Sequence, residues 1–427
     1  MSLFDYDNRP ATPGIILAGT AISAEAYRIR DFLSRNSLQY EWVEITDTQR
    51  VRALLGNGDF MTLPLPVCIL PDGTRLSPAT LEQVASGLGM DSGPLLSEYD
   101  LAVVGAGPAG LAAGVYAASE GLRTLMVEAV APGGQAGTTS MIENYLGFPN
   151  GISGGELATR AVAQARRFGA EILLARPFVG LEPESDVYQC QLSDGTTFLA
   201  RTILLASGVE WRRLEVPGVE DLLGAGVYYG AGPSEAIGCS GGQVVVVGGG
   251  NSAGQAVVRF SRYASRVVLV VRSDHLASSM SKYLSDRIAA IPNIEVRTGS
   301  EVVGVHADGY LREVLIEARD TSASDSVGAD ALFICIGGVP RTDAVRSVGL
   351  AIDDSGYIPT GRDVGSFGSS HLWSMSRPPL LLETSLPGLF AAGDVRRGSI
   401  KRCAAAVGEG SMSVALIHQR LAEIGGE

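Results

Sequence analysis

The sequence predicts an α/β fold, because two separate stretches repeat the order strand, glycine-rich turn, helix, strand. The first stretch spans residues 99–128 and the second spans residues 244–272. A third observation is the N-terminal stretch 13–92, where apolar residues recur at strand and helix spacing in the order βαβαββα. We therefore predict two three-layer domains around parallel sheets, with a smaller N-terminal domain in front of them.

The N-terminal elements follow from local patterns. Residues 1–12 carry no such pattern and are interpreted as a flexible arm. In the domain that follows, 13–92, the turn signal Pro71-Asp72-Gly73-Thr74 separates two short strands. Ser77 or Thr80 is the predicted N-cap of its last helix. Residues 90–98 are acidic and contain glycine and serine, so we expect a linker there.

The first glycine-rich turn has the spacing of a Rossmann-like dinucleotide site. Gly105 permits the tight turn, Gly107 lets the backbone approach a pyrophosphate, and Gly110 allows close packing of helix on strand. The pyrophosphate would lie at the helix N-terminus, where free N–H groups point outward. Glu128 stands at the end of the next strand, where a carboxylate binds ribose hydroxyls.

The second glycine-rich turn begins at Gly248, and its third small position holds Ala253. A helix to about Tyr263 and a strand over 267–271 are expected to follow. The acceptor position at the end of that strand is Arg272 rather than an acid, which favours the 2′-phosphate of NADPH. NADH remains an alternative, and so does a solvated surface arginine.

Composition excludes several classes of function. The net charge of −13 argues against a nucleic-acid or anionic-membrane surface. No apolar run reaches the length of a membrane span, and no secretory signal is visible, so a cytoplasmic enzyme is expected. The five cysteines are scattered without a C-x-x-C spacing, and the four histidines lack ligand spacing, so we expect neither disulfides nor a metal site.

From Tyr99 onward the chain resembles the low-molecular-weight thioredoxin reductases, which are flavoproteins with two dinucleotide-binding domains. The matching blocks are GAGPAG at 105–110, PGGQ at 132–135, IENY at 142–145, LASG at 205–208, CIGG at 335–338, TSLPGLFAAGDV at 384–395 and RCA at 402–404. The resemblance implies an FAD-binding domain over 99–213 and 328–427, with an NAD(P)-binding domain over 214–327 inserted in it.

The same resemblance implies which residues hold the two cofactors. Those expected to bind FAD are Gly105, Gly107, Pro108, Ala109, Gly110, Glu128, Gly134, Gln135, Asn144, Ala206, Gly208, Gly393, Asp394, Arg402, Cys403 and Ala404. Those expected to bind the nicotinamide nucleotide, NADPH or NADH, are Gly248, Gly250, Asn251, Ser252, Ala253, Arg272 and Gly337.

The chain departs from this family at the redox centre. The family carries Y-C-x-x-C-D before the second dinucleotide strand, and here Gly230 and Pro233 replace both cysteines. No catalytic residue is therefore assigned with certainty. Cys239 lies nearby, and a small buried hydrophobic role is favoured over a redox role. Of the family's three arginines for the 2′-phosphate, only Arg272 remains.

The N-terminal order of elements resembles a glutaredoxin or thioredoxin domain. Leu65-Pro66-Val67 resembles the cis-proline block of that fold, but residues 19–23, where the active cysteines would stand, read GTAIS. We interpret this domain as redox-inactive, with a role in docking, dimer packing or regulation.

A further departure is the insertion 361–382, which lengthens the loop before the second FAD block. Trp373 and the run Arg377-Pro378-Pro379 are hypothesised to cover the flavin, with a simple surface insertion as the alternative.

The leading hypothesis is an FAD-dependent NAD(P)H oxidoreductase that passes electrons from the flavin directly to an external acceptor, a small molecule or a small redox protein. Two alternatives stay open: a disulfide reductase that uses Cys239, and a redox-sensing or binding flavoprotein with little turnover. Family likeness further implies a homodimer.

Overall fold

The computed structural model describes residues 14–20, 23–36, 38–55, 63–90, 93–139, 141–142, 144–230, 239–276, 280–367, 373 and 375–425. The predicted arm at 1–12 lies outside these residues. The chain divides into two compact units: a first unit of residues 1–88 with 211–338, and a second unit of residues 89–210 with 339–427. No helix in the described part of the chain is both long and apolar enough to span a bilayer.

The N-terminal stretch has the predicted βαβαββα order. Its elements are β1 Ile15–Gly19, α1 Ala24–Arg35, β2 Tyr40–Glu44, α2 Thr48–Leu55, β3 Val67–Ile69, β4 Arg75–Leu76 and α3 Leu81–Gly87. They form a mixed sheet of order β2-β1-β3-β4, with β1 parallel to β2 and antiparallel to β3. Thr80 caps α3 through a capping box with Gln83, which confirms one of the two predicted N-caps. The Leu65–Pro66 peptide is cis, as the sequence block indicates.

Residues 89–210 build most of one sheet in the second unit. The elements are β5 Glu98–Val104, α4 Pro108–Ser119, β6 Thr124–Val127, α5 Gly134–Gly137, α6 Gly154–Arg167, β7 Glu171–Leu173, β8 Phe178–Glu184, β9 Val187–Leu192 and β10 Thr197–Leu205. The seven-stranded sheet has the order β7-β6-β5-β10-β9-β8, and a last strand from the C-terminal part pairs with β10. Helix α4 is buried nearly all round, because its alanines and glycines let it lie close to the sheet.

Residues 211–338 form a five-stranded parallel sheet and a three-stranded antiparallel one. After β11 Val209–Trp211 come β12 Val227–Tyr229, β13 Gln243–Val247, α7 Asn251–Phe260, β14 Arg266–Val270, α8 Lys282–Ala289, β15 Ile294–Arg297, β16 Ser300–Asp308, β17 Tyr310–Ala318, β18 Ser324–Gly328 and β19 Ala331–Ile334. The orders are β12-β19-β13-β14-β15 and β16-β17-β18. The helix predicted to reach Tyr263 ends earlier, at Phe260, where Ser261 begins an irregular turn.

The N-terminal stretch packs against the 211–338 stretch inside the first unit. Tyr27 of α1 packs against the apolar cluster that contains Val219, Leu222 and Leu223. Gly224 has φ +79°, and a Cβ there would lie 2.3 Å from Cδ2 of the Tyr27 ring. Glycine is therefore required at 224 both by its backbone conformation and by the tyrosine.

Residues 339–427 complete the second unit with β20 Gly338–Pro340, β21 Leu389–Ala391 and the long helix α9 Cys403–Gly425. β21 extends the large sheet as a parallel neighbour of β10. The segment 361–382 begins with the 3-10 helix Gly361–Phe367. Residues 368–372 and 374 of this insertion lie outside the described residues.

The insertion is fastened to the C-terminal end of α9. Arg377 donates to the fully buried carboxylate of Glu383 at 2.7 Å and to Glu423 at 2.9 Å. The hydrogen bond from Arg377 holds the pKa of Glu423 below its usual value. Trp373 donates its indole N–H to the Arg377 carbonyl. These contacts join Trp373 and Arg377 to one another and to the C-terminal part of α9, and the hypothesis that they cover the flavin stays a prediction.

Replacing Arg377 should destabilise the second unit strongly. In Arg377→Ala the Glu383 carboxylate would stay buried without its cation, which costs about 3–5 kcal/mol. Urea unfolding monitored by fluorescence should show the corresponding fall in midpoint. The matched control is Arg346→Ala, which breaks the exposed pair with Asp343 and should cost less than about 1 kcal/mol. Equal shifts in the two variants would contradict this account.

Candidate functional site

In the glycine-rich turn of the second unit, neighbouring backbone leaves no space for a Cβ at two of the glycines and leaves space at the third. A Cβ on Gly105 would lie 2.4 Å from the Ala206 carbonyl oxygen, and one on Gly110 would lie 1.9 Å from that of Gly105. Gly107 is the N-cap of α4, and the nearest atom to a Cβ there is Gly134 Cα at 3.9 Å. The N-terminus of α4, with Pro108 and Ala109 in its first turn, thus borders free space where N–H groups lack helical partners. This fits the pyrophosphate of a dinucleotide.

Glu128 lies beside this turn at the end of β6. Its carboxylate is buried and accepts hydrogen bonds from the backbone N–H of Ala106 at 2.8 Å and of Val130 at 3.0 Å. The carboxylate therefore fixes the glycine-rich turn. It retains lone pairs for a ribose hydroxyl, since each oxygen accepts only one of these bonds.

Four more predicted residues belong to the second unit. Gln135 donates its amide N–H to the Val209 carbonyl at 2.8 Å, which fixes the Gln135 side chain next to the start of β11. Ala206 is buried at the end of β10, and Gly208 has φ +67° with open space around it. Asn144 is exposed, and Glu143 in the same sequence block lies outside the described residues.

The C-terminal part of the site is held by an ion pair that sequence reasoning missed. Glu409 of α9 accepts from the backbone N–H of Gly393 at 2.8 Å and from Nε of Arg396 at 3.1 Å. These bonds fix the short 3-10 helix Gly393–Val395, which carries Asp394. Burial raises the pKa of Asp394, with a smaller opposing effect of Lys401 and a raising effect of Glu409. Cys403 and Ala404 begin α9 and Arg402 directly precedes it, with Arg402 and Ala404 exposed.

The cysteines lie apart from one another, and all are free thiols. Burial raises the pKa of Cys68 to about 11 and those of Cys190 and Cys335 to about 12. The pKa of Cys403 is raised too, by burial and then by the Asp394 charge. Cys239 is buried in an apolar cluster. The raised values keep those four sulfurs as thiols near neutral pH, where disulfide exchange needs a thiolate.

Gly230 stands at the position of the family's first redox cysteine, and the backbone there has a conformation that favours glycine. It is buried with φ +80°, and a Cβ there would lie 2.9 Å from Cζ2 of Trp211. A side chain at 230 would be strained and would collide with the indole. Pro233, at the second position, lies outside the described residues.

The second glycine-rich turn, which begins at Gly248, lies in the first unit and resembles the turn at Gly105. A Cβ on Gly248 would lie 2.3 Å from the Cys335 carbonyl oxygen, whereas Gly250, the N-cap of α7, has nothing within 4 Å. Ala253 is fully buried against the sheet. This open helix N-terminus fits a pyrophosphate as well.

The remaining predicted nucleotide residues are arranged around α7. Asn251 accepts from the backbone N–H of Ser281 at 2.8 Å, which joins the start of α7 to that of α8. Ser252 is exposed, and Gly337 has φ +93° with open space around it. Arg272 is exposed just beyond the buried end of β14. In the described part of the chain no group of three or more His, Cys, Asp or Glu side chains is placed to hold a metal.

Known proteins share this arrangement. Residues 99–410 match the profile of the pyridine nucleotide-disulphide oxidoreductases. A thioredoxin reductase of Listeria monocytogenes is 34% identical over 317 residues, covering 74% of this chain and 91% of the relative. One from Bacillus subtilis is 32% identical over 327 residues, covering 76% and 96%. The solved thioredoxin reductase of Lactococcus lactis superposes with TM-score 0.64 at 27% identity, covering 76% of this chain and 99% of the other.

Proposed function

The chain belongs to the pyridine nucleotide-disulphide oxidoreductase family and is thioredoxin reductase-like, and from this premise we propose that it is an FAD-dependent NAD(P)H oxidoreductase that passes electrons from the flavin directly to an external acceptor. Direct transfer of electrons from the flavin to an external acceptor is supported by the conformation of Gly230. Its φ of +80° would strain a cysteine, whose Cβ would lie 2.9 Å from Cζ2 of Trp211 and so would have to displace the indole.

The residues of the second unit support FAD as the bound cofactor. Gly107 leaves space at the N-terminus of α4, Glu128 lies where a ribose would be bound, and Glu409 holds the loop of Asp394 in place. When bound, FAD supplies the capacity to accept a hydride and to release its electrons to an acceptor. The protein would contribute the position of the cofactor and the carboxyl group of Asp394.

The open N-terminus of α7 supports a nicotinamide nucleotide as the electron donor. Gly250 leaves the same space in the first unit that Gly107 leaves in the second. Arg272 favours NADPH over NADH, because a guanidinium matches the 2′-phosphate.

The two alternatives receive less support. Disulfide reduction through Cys239 would need an accessible thiolate, and this side chain lies in the apolar cluster around β13 and α7. A flavoprotein with little turnover would not need a second intact dinucleotide turn. We further propose, from family likeness and from the order of elements at 13–92, a homodimer, a cytoplasmic location, and a redox-inactive thioredoxin-like N-terminal domain.

Anaerobic stopped-flow mixing tests the proposal. The flavin absorbance of the FAD-loaded protein should bleach on addition of NADPH, and more slowly with NADH. Reoxidation of the bleached protein by a panel of quinones, ferric complexes and small redox proteins should then identify an acceptor. A flavin that neither nucleotide reduces would contradict the proposed oxidoreductase and favour the binding role.

A further inference from the structure

A second arginine lies beside Arg272, supplied by a segment that the sequence motifs do not include. The Nη1 of Arg319 donates to the backbone carbonyl of Arg272 at 3.3 Å. Arg319 follows the last residue of β17, so it comes from the three-stranded sheet rather than from the dinucleotide-binding sheet. Both arginines are exposed.

The backbone around Arg319 fixes its position at the end of β14. Its N–H donates to the Gly299 carbonyl at 2.8 Å, and the N–H of Gly299 donates to the Ser273 carbonyl at 3.0 Å. Gly299 has φ +58°, which places this connecting turn in the left-handed region. Arg319 is therefore held against the loop after β14 by both its backbone and its side chain.

Near the end of β14, both guanidinium groups are available to an anion. The acidic residues next to them in the chain are Asp274 and Asp320, and in the described structure neither forms an ion pair with Arg272 or Arg319. The carboxylate of Asp274 instead lies near Gly299, with Oδ1 3.3 Å from where a Cβ would stand. A guanidinium has five N–H donors, so the single bond to a carbonyl leaves Arg319 free to bind more.

We propose that Arg319, together with Arg272, binds the 2′-phosphate of NADPH and determines the preference for it over NADH. In a βαβ dinucleotide unit the ribose 2′ substituent lies at the carboxyl end of the second strand, which here is β14. Two guanidinium groups there form charge-assisted hydrogen bonds with a phosphate dianion. Arg319 takes the place of the arginines absent after Arg272. This inference rests on the proposed function.

The test is equilibrium binding, by titration calorimetry on the FAD-loaded protein, of 2′,5′-ADP and of 5′-AMP. The first carries the 2′-phosphate and the second does not. The unchanged protein should bind 2′,5′-ADP at least about tenfold more tightly. Arg319→Gln should lose most of that preference while its affinity for 5′-AMP stays the same, and Arg319→Lys should retain part of it.

Arg312→Gln is the matched control, because Arg312 is an exposed arginine near the other end of β17. It should bind both nucleotides as the unchanged protein does. An Arg319→Gln variant that keeps the full preference, or an unchanged protein without any preference, would overturn this inference while leaving the proposed oxidoreductase intact. If neither nucleotide binds and neither NADPH nor NADH bleaches the flavin, both proposals fail together.

Discussion

Thioredoxin will remain oxidised when the FAD-loaded protein is supplied with NADPH. Enzymes typically turn over at roughly 1–10³ s⁻¹, and we expect thioredoxin reduction by this protein to be at least about a thousandfold slower than the middle of that range. Disulfide exchange proceeds by thiolate attack, so electrons leaving the flavin for a disulfide must pass through sulfur. Positions 230 and 233 hold glycine and proline, and residues 19–23 of the N-terminal domain contain no cysteine.

The measurement is NADPH oxidation coupled to a thioredoxin-dependent disulfide assay, with an artificial acceptor present in a parallel reaction. The parallel reaction shows that the flavin is active, and dithiothreitol shows that the thioredoxin can be reduced. Cys239→Ser should behave as the unchanged protein in both reactions, because that sulfur is buried in the core. Thioredoxin reduction at ordinary rates that disappears in Cys239→Ser would instead establish the disulfide reductase alternative.

Gly107→Val will strongly weaken FAD binding without unfolding the chain. The valine side chain would enter the space at the N-terminus of α4, where the pyrophosphate is proposed to lie. Only Gly134 Cα lies within 4 Å of the new Cβ, at 3.9 Å, and the extended backbone of Gly107 (φ −72°) suits a valine. The loss of the pyrophosphate contacts, several charge-assisted hydrogen bonds of about 1.5–3 kcal/mol each, should weaken binding at least a hundredfold.

The ratio of FAD to protein after purification and reconstitution measures this effect, and circular dichroism verifies the fold. Gly180→Val is the matched control, since Gly180 lies in β8 with nothing within 4 Å of its Cβ position. That variant should carry the same amount of FAD as the unchanged protein. One FAD per chain in Gly107→Val would refute the assignment of this turn.

Features that depend on neighbouring residues could be predicted from the sequence. Strands β6, β13 and β14 begin and end within one residue of the expected ranges 124–127, 244–247 and 267–271, because buried apolar runs mark their extent. Local spacing likewise identifies Glu128 at the end of β6. These signals depend on residues that are close together in the chain, so they can be recognised without the tertiary structure.

Contacts between distant segments could not be predicted in this way. Arg319 reaches Arg272 across 47 positions of the chain, and Arg377 reaches Glu423 across 46. An exposed arginine in a sequence looks the same whether its partner is water, a carbonyl or a buried carboxylate, because charged residues carry no periodic signal. The sequence therefore indicates neither the ion pair between Arg377 and Glu423 nor the second cation beside β14.

The fit between Tyr27 and Gly224 places a constraint on how related chains can diverge. Any side chain at 224 would occupy the space of the tyrosine ring. A larger residue at 224 therefore demands a residue smaller than tyrosine at 27. In chains that carry the same N-terminal extension the two positions should therefore covary. In chains without the extension, position 224 is released from that coupling, and only its backbone conformation should favour glycine.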